Sequence, residues 1–226
     1  WLDVAGYMRG HVGALRAFAA EVRQARFRHV VLLGMGGSSL GPEVVRQTFG
    51  SAPGHPGLIV LDSTVPDCVR AVDEAIDPAR TLFVVSSKSG TTTEPLAFYR
   101  YFRRAVEEAA GVDCAGRNFV AVTDAGTPLE RLAAEEGFRR AFLNPPDIGG
   151  RYSVLSYFGL VPAALTGMDV AALLDRAERM QGACARSVSL AENPGAWLGA
   201  TMAALARRGR DKLTIVASPA IAGFGL

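Results

Sequence analysis

The sequence predicts an α/β fold with a doubly wound, five-stranded parallel sheet, and three observations lead to this prediction. Short apolar runs alternate with helical patterns between residues 29 and 143. The apolar runs are continuous rather than alternating, as is typical of parallel strands buried on both faces. Two of the runs end in polar, glycine-containing loops that lead into helices. Because parallel strands need crossover connections, helices are expected on both faces of the sheet.

Strands and helices follow one another throughout this region. The predicted strands lie at residues 30–33, 58–61, 81–85, 119–122 and 138–143. The predicted helices lie at residues 15–26, from the 34–42 loop to Phe49, and at 69–76, 96–110, 128–134, 154–165, 170–184 and 194–207. Thr64 and Pro66 mark the start of the third helix, and Thr127 with Glu130 forms a capping box before the fifth.

Three parts of the chain are expected. Residues 1–28 form a helical lead-in, residues 29–148 form the sheet domain, and residues 149–226 form a helical connection and the beginning of a second domain. The second domain is predicted from one more strand, at residues 212–217. A single strand cannot bury itself, so we expect the chain to be a fragment of a longer protein.

Composition and charge argue against several classes of protein. With 226 residues, 49% of them hydrophobic, the chain suits a compact globular protein. Its net charge is +2 without a basic block, so neither nucleic acid nor an acidic membrane is expected as a partner. The three cysteines match no metal or redox motif, and no membrane span or signal peptide is recognised. A cytoplasmic protein with no metal and no cofactor is therefore predicted.

The most distinctive stretch is the loop after the third strand, where an apolar run gives way to hydroxyls and one cation. Ser87, Ser89 and Thr92 offer O–H donors, and Lys88 offers a positive charge. Gly90 allows the backbone to fold closely around a ligand. The loop precedes a predicted helix, whose free N–H groups and dipole favour an anion. This combination predicts a phosphate site.

A capping box is the alternative explanation of the same loop. Thr91 and Glu94 have the spacing of such a box, and Pro95 lies in the first predicted turn. Capping accounts for these residues but gives no role to the cation or to the other hydroxyls of the loop. The phosphate site is therefore favoured.

A second polar loop, residues 34–39, follows the first strand. Ligands of doubly wound sheets bind outside the carboxyl ends of the strands, so both loops are expected to line one crevice. A dinucleotide site is a competing hypothesis, because Gly34 and Gly36 follow a strand and Asp62 ends the next one. Ser39 replaces the third glycine of that motif, however, and no Walker lysine motif occurs.

Arg151 follows two glycines at the junction after the sheet domain. Two roles stay open for it: pairing with a carboxylate, or facing an anion or a developing oxyanion in the crevice. The histidines share no motif and are assigned no chemistry. Asp62, Asp124 and Glu43 lie near strand ends or helix starts, where helix capping is the simplest assignment.

Three motifs, in this order, resemble the signatures of the glucose-6-phosphate isomerase family: residues 34–42 (GMGGSSLGP), 87–94 (SKSGTTTE) and 149–153 (GGRYS). The resemblance covers nearly the whole chain, and three ordered motifs are more specific than any one of them. It implies the sugar-isomerase (SIS) fold, a flavodoxin-like sheet, in two copies. Residues 29–148 would be the first SIS sugar-phosphate-binding domain.

The resemblance also implies a reaction and the residues that serve it. The reaction is the interconversion of glucose 6-phosphate and fructose 6-phosphate in glycolysis and gluconeogenesis, by proton transfer through a cis-enediolate. Arg151 would stabilise the enediolate. The residues implied to bind the phosphate are Ser87, Lys88, Ser89 and Thr92, and those implied to contact the rest of the substrate are Gly37, Ser38 and Gly150.

Two departures from the family pattern are visible. Ser89 and Gly90 replace a common threonine and aromatic residue, and Ser39 replaces a frequent aspartate. This pattern is similar to divergent bacterial forms, including the isomerase part of bifunctional transaldolase proteins, and it leaves the sugar specificity open. The family's general base, a glutamate, is expected beyond Leu226, followed by a histidine and a lysine. The chain alone is therefore expected to be inactive.

The resemblance further implies a homodimer acting on a sugar phosphate. The alternative function is a non-catalytic SIS module that binds a sugar phosphate in a regulator. Arg151 and the predicted second domain favour the enzyme.

Overall fold

The computed structural model describes residues 1–225 and contains one five-stranded parallel sheet with helices on both faces. The strands are β1 His29–Gly34, β2 Gly57–Leu61, β3 Thr81–Ser86, β4 Phe119–Asp124 and β5 Arg140–Asn144. The helices are α1 Val4–Arg9, α2 Val12–Gln24, α3 Leu40–Phe49, α4 Pro66–Ala75, α5 Thr93–Ala110, α6 Val112–Ala115, α7 Pro128–Glu135, α8 Tyr157–Leu165, α9 Val170–Ala183 and α10 Pro194–Ala206. The predicted fold class is confirmed.

The order of the strands places a switch point in the middle of the sheet. The order is β2-β1-β3-β4-β5, and every neighbouring pair is parallel. The chain leaves β1 toward one edge and β3 toward the other, as in flavodoxin-like sheets, whose ligands bind at that reversal. In the register of β1 and β3, Gly34 lies opposite Ser86. The two polar loops therefore begin side by side.

The sheet separates two apolar layers because successive side chains of a strand point to opposite faces. Leu32 and Val84 face a layer that includes α2, α8 and α9. Phe83 and Val85 face a second layer that includes α5 and α7. Every residue of β3 and of β4 is buried, whereas β5 at the edge alternates between buried and partly or fully exposed positions. The central strands thus hold the switch point rigidly.

Caps explain several helix boundaries. Ser156 Oγ accepts a hydrogen bond from the Phe158 N–H, so α8 begins at Tyr157 rather than at residue 154. Thr127 Oγ1 accepts from the Glu130 N–H at the start of α7, which confirms that predicted cap. Pro66 lies in the first turn of α4, which confirms that predicted start signal. The Thr64 signal is wrong, because the N-cap is Val65 and no side chain caps the helix.

The strand predicted at residues 212–217 is also wrong, since none of the five strands lies there. Leu213, Ile215 and Val216 are 66%, 56% and 91% exposed. A strand forms only where a neighbouring strand completes its hydrogen bonds, and no described strand lies beside this segment. None of the helices described within residues 1–225 is long and apolar enough to cross a membrane.

Candidate phosphate-binding site

The two polar loops meet at the switch point. The loop after β1 contains a short 3-10 turn, Gly36–Ser38, and the loop after β3 leads into α5. Ser86 Oγ, at the end of β3, donates to the Ser38 carbonyl oxygen at 3.4 Å. Ser39 is fully buried and its hydroxyl donates to the Gly36 carbonyl oxygen. The predicted convergence of these loops is thus present in the structure.

The hydroxyls of the second loop are paired with one another. Ser87 Oγ and Thr92 Oγ1 lie 2.9 Å apart, and so do Ser89 Oγ and Thr91 Oγ1. The Ser87 side chain is buried, and its backbone N–H donates to the Val122 carbonyl oxygen of β4 at 3.0 Å. These contacts fix the loop. Because hydroxyl hydrogens rotate, each pair can redirect an O–H to an incoming anion.

The predicted capping box at Thr91 and Glu94 does not form. The N-cap of α5 is Thr92, and no side chain caps the helix. Its hydroxyl instead pairs with Ser87, and the Thr91 hydroxyl pairs with Ser89. The first turn of an 18-residue helix therefore starts beside the hydroxyl cluster without a side-chain acceptor for its N–H groups. Such helix starts favour anions.

Lys88 is held at the side of this loop. Its ammonium forms an ion pair with Asp124 Oδ2 and donates to the Pro146 carbonyl oxygen at 3.1 Å. Asp124 is the last residue of β4, and it does not cap α7, whose N-cap is Thr127. The capping role assigned to Asp124 is therefore wrong, because its carboxylate serves the lysine.

Gly90 has a structural role in addition to its place beside the hydroxyls. Its φ is +66°, which favours glycine, and an added Cβ would lie 2.8 Å from the Leu129 nitrogen and from Thr127 Cβ. The residue lets the loop pack against the start of α7. Its predicted role, to let the backbone fold closely around a ligand, stays a prediction.

The loop that carries Arg151 touches the first polar loop directly. A Cβ on Gly37 would lie 2.4 Å from the Gly150 carbonyl oxygen, so only glycine fits at this crossing. Ser153 Oγ lies 2.7 Å from the Gly150 carbonyl oxygen and 3.3 Å from that of Gly37, and its hydroxyl joins the two backbones. The structure therefore brings Gly37, Ser38 and Gly150 together.

Arg151 lies in the exposed 3-10 turn Gly150–Tyr152. Within residues 1–225, its guanidinium has no ion pair and no side-chain hydrogen bond, so pairing with a carboxylate, one of its two open roles, does not occur there. The ring of its neighbour Tyr152 stacks on Trp1, with centroids 4.8 Å apart. The turn is thus held by Trp1 through Tyr152 and by Gly37 through Gly150, while the Arg151 guanidinium is exposed.

Sequence reasoning missed two residues of this region, Asp124 as the partner of Lys88 and Ser153 as the link between turns. Both are polar residues in buried positions, with 8% and 1% exposure. Buried polar side chains need partners, so the position of Asp124 after an apolar run was an available signal, whereas Ser153 follows the polar stretch GGRY and offered none. Their partners lie 36 and 116 residues away in the chain and could not be identified from spacing.

Two clefts elsewhere do not coincide with this site. One of about 310 Å³ is lined by residues that include Arg16, His55 and Asp169. Another of about 480 Å³ lies between α5 and α7 and includes Gly90 but none of the loop hydroxyls. In the described part of the chain, no group of three His, Cys, Asp or Glu side chains is arranged to hold a metal ion. Apart from Gly90, the residues of the candidate site line neither cleft.

Comparison with known proteins agrees with this geometry. Residues 8–200 match the family model described as phosphoglucose isomerase, which is most of the chain. The chain belongs to the phosphoglucose isomerase family. The predicted resemblance is therefore confirmed.

Phosphoglucose isomerase relatives from three bacteria, each named glucose-6-phosphate isomerase, cover most of this chain. The protein from Carboxydothermus hydrogenoformans is 32% identical over 88% of this chain and 44% of its own length. The protein from Desulfitobacterium hafniense is 38% identical over 80% of this chain and 35% of its own length. The protein from Symbiobacterium thermophilum is 33% identical over 96% of this chain and 50% of its own length. The chain thus spans half or less of these relatives.

Three solved structures have a similar architecture. A glucose-6-phosphate isomerase from Chlamydia trachomatis superposes with a TM-score of 0.80 at 27% identity, over 98% of this chain and 43% of that one. A hypothetical protein from Thermus thermophilus superposes with a TM-score of 0.80 at 31% identity, over 90% of this chain and 47% of that one. A tagatose-6-phosphate ketose/aldose isomerase from Escherichia coli, at TM-score 0.54 and 16% identity, shares the fold alone.

Proposed function

We propose that this chain is the phosphate-anchoring part of a glucose-6-phosphate isomerase, which interconverts glucose 6-phosphate and fructose 6-phosphate. The observation that carries the proposal is the start of α5. Its N-terminus has no side-chain cap, lies at the switch point, and is surrounded by hydroxyls that pair with each other. A chain of this family with such a site is suited to hold the phosphate of a sugar.

The phosphate is assigned to Ser87, Ser89, Thr92 and Lys88. The hydroxyls donate to phosphate oxygens, the first-turn N–H groups of α5 supply further donors, and the ammonium contributes positive charge. Binding a group remote from the reacting carbons holds the sugar in position, and losing this anchor is expected to weaken substrate binding more than it slows the chemical step. Gly37, Ser38 and Gly150 are assigned to the side of the sugar where the other two loops cross.

The reaction proceeds by proton transfer after the ring opens. A base takes the proton from C2 of the aldose, the electron pair forms the C1–C2 double bond, and negative charge develops on O1. The hydroxyl proton moves from O2 to O1, the proton taken from C2 returns to C1, and the electron pair on O2 forms the C2 carbonyl of the ketose. Arg151 is assigned to the enediolate, because a fixed cation opposes the charge that develops in the transition state. We assign the base and the ring-opening residues to a part of the protein outside these 226 residues, in a homodimer.

The proposal is tested with the full-length protein and a coupled assay that detects glucose 6-phosphate formed from fructose 6-phosphate. Turnover of fructose 6-phosphate is expected, and fructose without the phosphate serves as the matched control, with turnover reduced by orders of magnitude. Calorimetric titration with fructose 6-phosphate accompanies the assay. Binding without turnover would contradict the isomerase and support a regulatory sugar-phosphate-binding module instead.

A further inference from the structure

Lysine at position 88 stands out in this chain. Of 24 basic residues, 22 are arginines, and the lysines are Lys88 and Lys212. Lys212 is in the exposed segment near the carboxyl end and pairs with its neighbour Asp211. Lysine presents a compact ammonium, whereas arginine presents a wide planar fork. We therefore expect the function of position 88 to require the compact ammonium of lysine rather than the guanidinium of arginine.

The contacts of Lys88 join three parts of the site. Its ammonium pairs with the Asp124 carboxylate at the end of β4 and donates to the Pro146 carbonyl oxygen. Its own carbonyl oxygen accepts from the Asp124 N–H at 3.2 Å and from the Thr123 hydroxyl at 3.3 Å. Pro146 belongs to the segment that leads from β5 to the Arg151 turn. One residue thus links the phosphate loop to β4 and to that segment.

The Asp124 carboxylate is largely buried, and its side-chain partner is Lys88. Its side chain is 12% exposed, against 32% for that of Lys88. Its second oxygen, Oδ1, is buried and has no hydrogen-bond partner within residues 1–225. A buried carboxylate with one unpaired oxygen depends on its cation, and loss of the cation leaves an uncompensated charge. The pair is therefore expected to be strongly coupled.

We propose that Asp124 is a positioning residue of the phosphate site, which acts by holding the Lys88 ammonium at the edge of the hydroxyl cluster. The proposal rests on the proposed function. Asp124 and Pro146 take two of the three N–H donors of Lys88, and the third is left for the sugar phosphate. Without Asp124 the flexible lysine side chain would have to be ordered by the substrate, which weakens binding.

The test is a double-mutant cycle in the full-length protein. Asp124→Asn is expected to raise KM for fructose 6-phosphate about tenfold, the size of one charge-assisted hydrogen bond, with kcat within twofold. Lys88→Met is expected to raise KM at least as much. The double variant should match Lys88→Met alone, because Asp124 acts only through the lysine. Asp62→Asn is the matched control, since Asp62 also follows a strand, is exposed, and has no ion pair in the described chain.

A thermal melt of the same variants tests the pair without turnover. Lys88→Met is expected to lower Tm, and Asp124→Asn in that background should restore part of the loss by removing the buried charge. Lys88→Arg serves as a further variant that keeps the charge, and it should raise KM because the fork does not fit between Asp124 and Pro146.

Three results would overturn the positioning role. These are an unchanged KM in Asp124→Asn, effects of the two substitutions that multiply in the double variant, or a wild-type KM in Lys88→Arg. If the wild-type protein binds fructose 6-phosphate but does not turn it over, the isomerase assignment fails separately. The same cycle is then measured as Kd by calorimetry, with the same expected ratios.

Discussion

At the scale of single residues, the site depends on a few close contacts. The hydroxyl pairs Ser87 with Thr92 and Ser89 with Thr91 fix the loop before any ligand arrives. Gly37 allows two loops to cross where a side chain would collide with the Gly150 carbonyl oxygen. Preorganised donors do not have to be ordered by the substrate, so a binding site built from them retains more of its interaction energy.

Gly37→Ala tests the crossing of the loops. Its Cβ would lie 2.4 Å from a backbone oxygen, which cannot move aside as a flexible side chain can. The free energy of unfolding is expected to fall by about 1–3 kcal/mol, as for other overpacked positions, measured by denaturant titration. Gly13→Ala, in α2 with no atom within 4 Å of the added methyl, is the control and should be neutral or stabilising. Equal stability of Gly37→Ala and wild type would show that the loops separate readily.

Arg151→Ala tests the catalytic assignment in the full-length protein. Loss of a cation that acts on the transition state should lower kcat about 100-fold, or about 3 kcal/mol in the barrier, while KM changes little. Arg117→Ala, an exposed arginine after α6, is the control and should leave both constants unchanged. A higher KM with unchanged kcat would place Arg151 in substrate binding instead.

Tyr99→Phe tests a buried hydroxyl on the second apolar layer. Tyr99 is 4% exposed, and its hydroxyl oxygen has no hydrogen-bond partner in the described part of the chain. Removing an unsatisfied buried hydroxyl should raise the free energy of unfolding by about 1 kcal/mol at pH 7, measured by urea titration. A less stable variant at pH 7 would show that the hydroxyl has a partner.

The same variant has an expected pH dependence. Burial raises the pKa of Tyr99 from 10.0 to about 12, with the nearby Arg103 charge opposing this effect. Between pH 10 and 12 the unfolded state therefore loses the proton while the folded state keeps it, so the wild-type protein loses stability as pH rises. The advantage of the phenylalanine variant should grow over this window. A constant difference between the two proteins from pH 9 to 12 would contradict the raised pKa.

At the scale of elements, the sequence predicted β1, β3 and β4 well because these strands are buried on both faces and have continuous apolar runs. The bounds of β5 were predicted less well, two residues early at its start and one at its end, since its residues alternate at the sheet edge. The start of α5 was predicted three residues late because its hydroxyls pair across the loop. The prediction of a strand at residues 212–217 was wrong because an apolar composition does not form a strand without a neighbouring strand to pair with.

Thr127→Ala tests the cap of α7. The Thr127 hydroxyl accepts from the Glu130 N–H, and it also pairs with Thr123 Oγ1 at 2.8 Å. Its loss should reduce the free energy of unfolding by about 1 kcal/mol, measured by urea titration. Thr64→Ala is the matched control, because Thr64 precedes α4 without capping it and is exposed. Equal losses in both variants would mean that the Thr127 cap contributes nothing specific.

At the scale of the whole molecule, the candidate site is the meeting point of three loops that are far apart in the sequence. The hydroxyls, the glycines and Arg151 could be selected from the sequence because they occur in compact motifs, and the structure brings the loops that carry them together. It could not identify the ion pair of Lys88 with Asp124, because partner choice depends on the order of strands. Exposed apolar residues such as Trp197 and Leu198 on α10 favour association. The kinetic tests therefore use the full-length protein.

The most direct test of the central claim is the KM of the full-length protein for fructose 6-phosphate after loss of the hydroxyls at Ser87 and Thr92. The double variant Ser87→Ala with Thr92→Val should raise KM about 100-fold, as expected for two hydrogen bonds to a charged group, with kcat within threefold. Thr93→Val, at the first residue of the same helix, is the control. An unchanged KM in the double variant, beside an active wild-type protein, would show that the phosphate binds elsewhere.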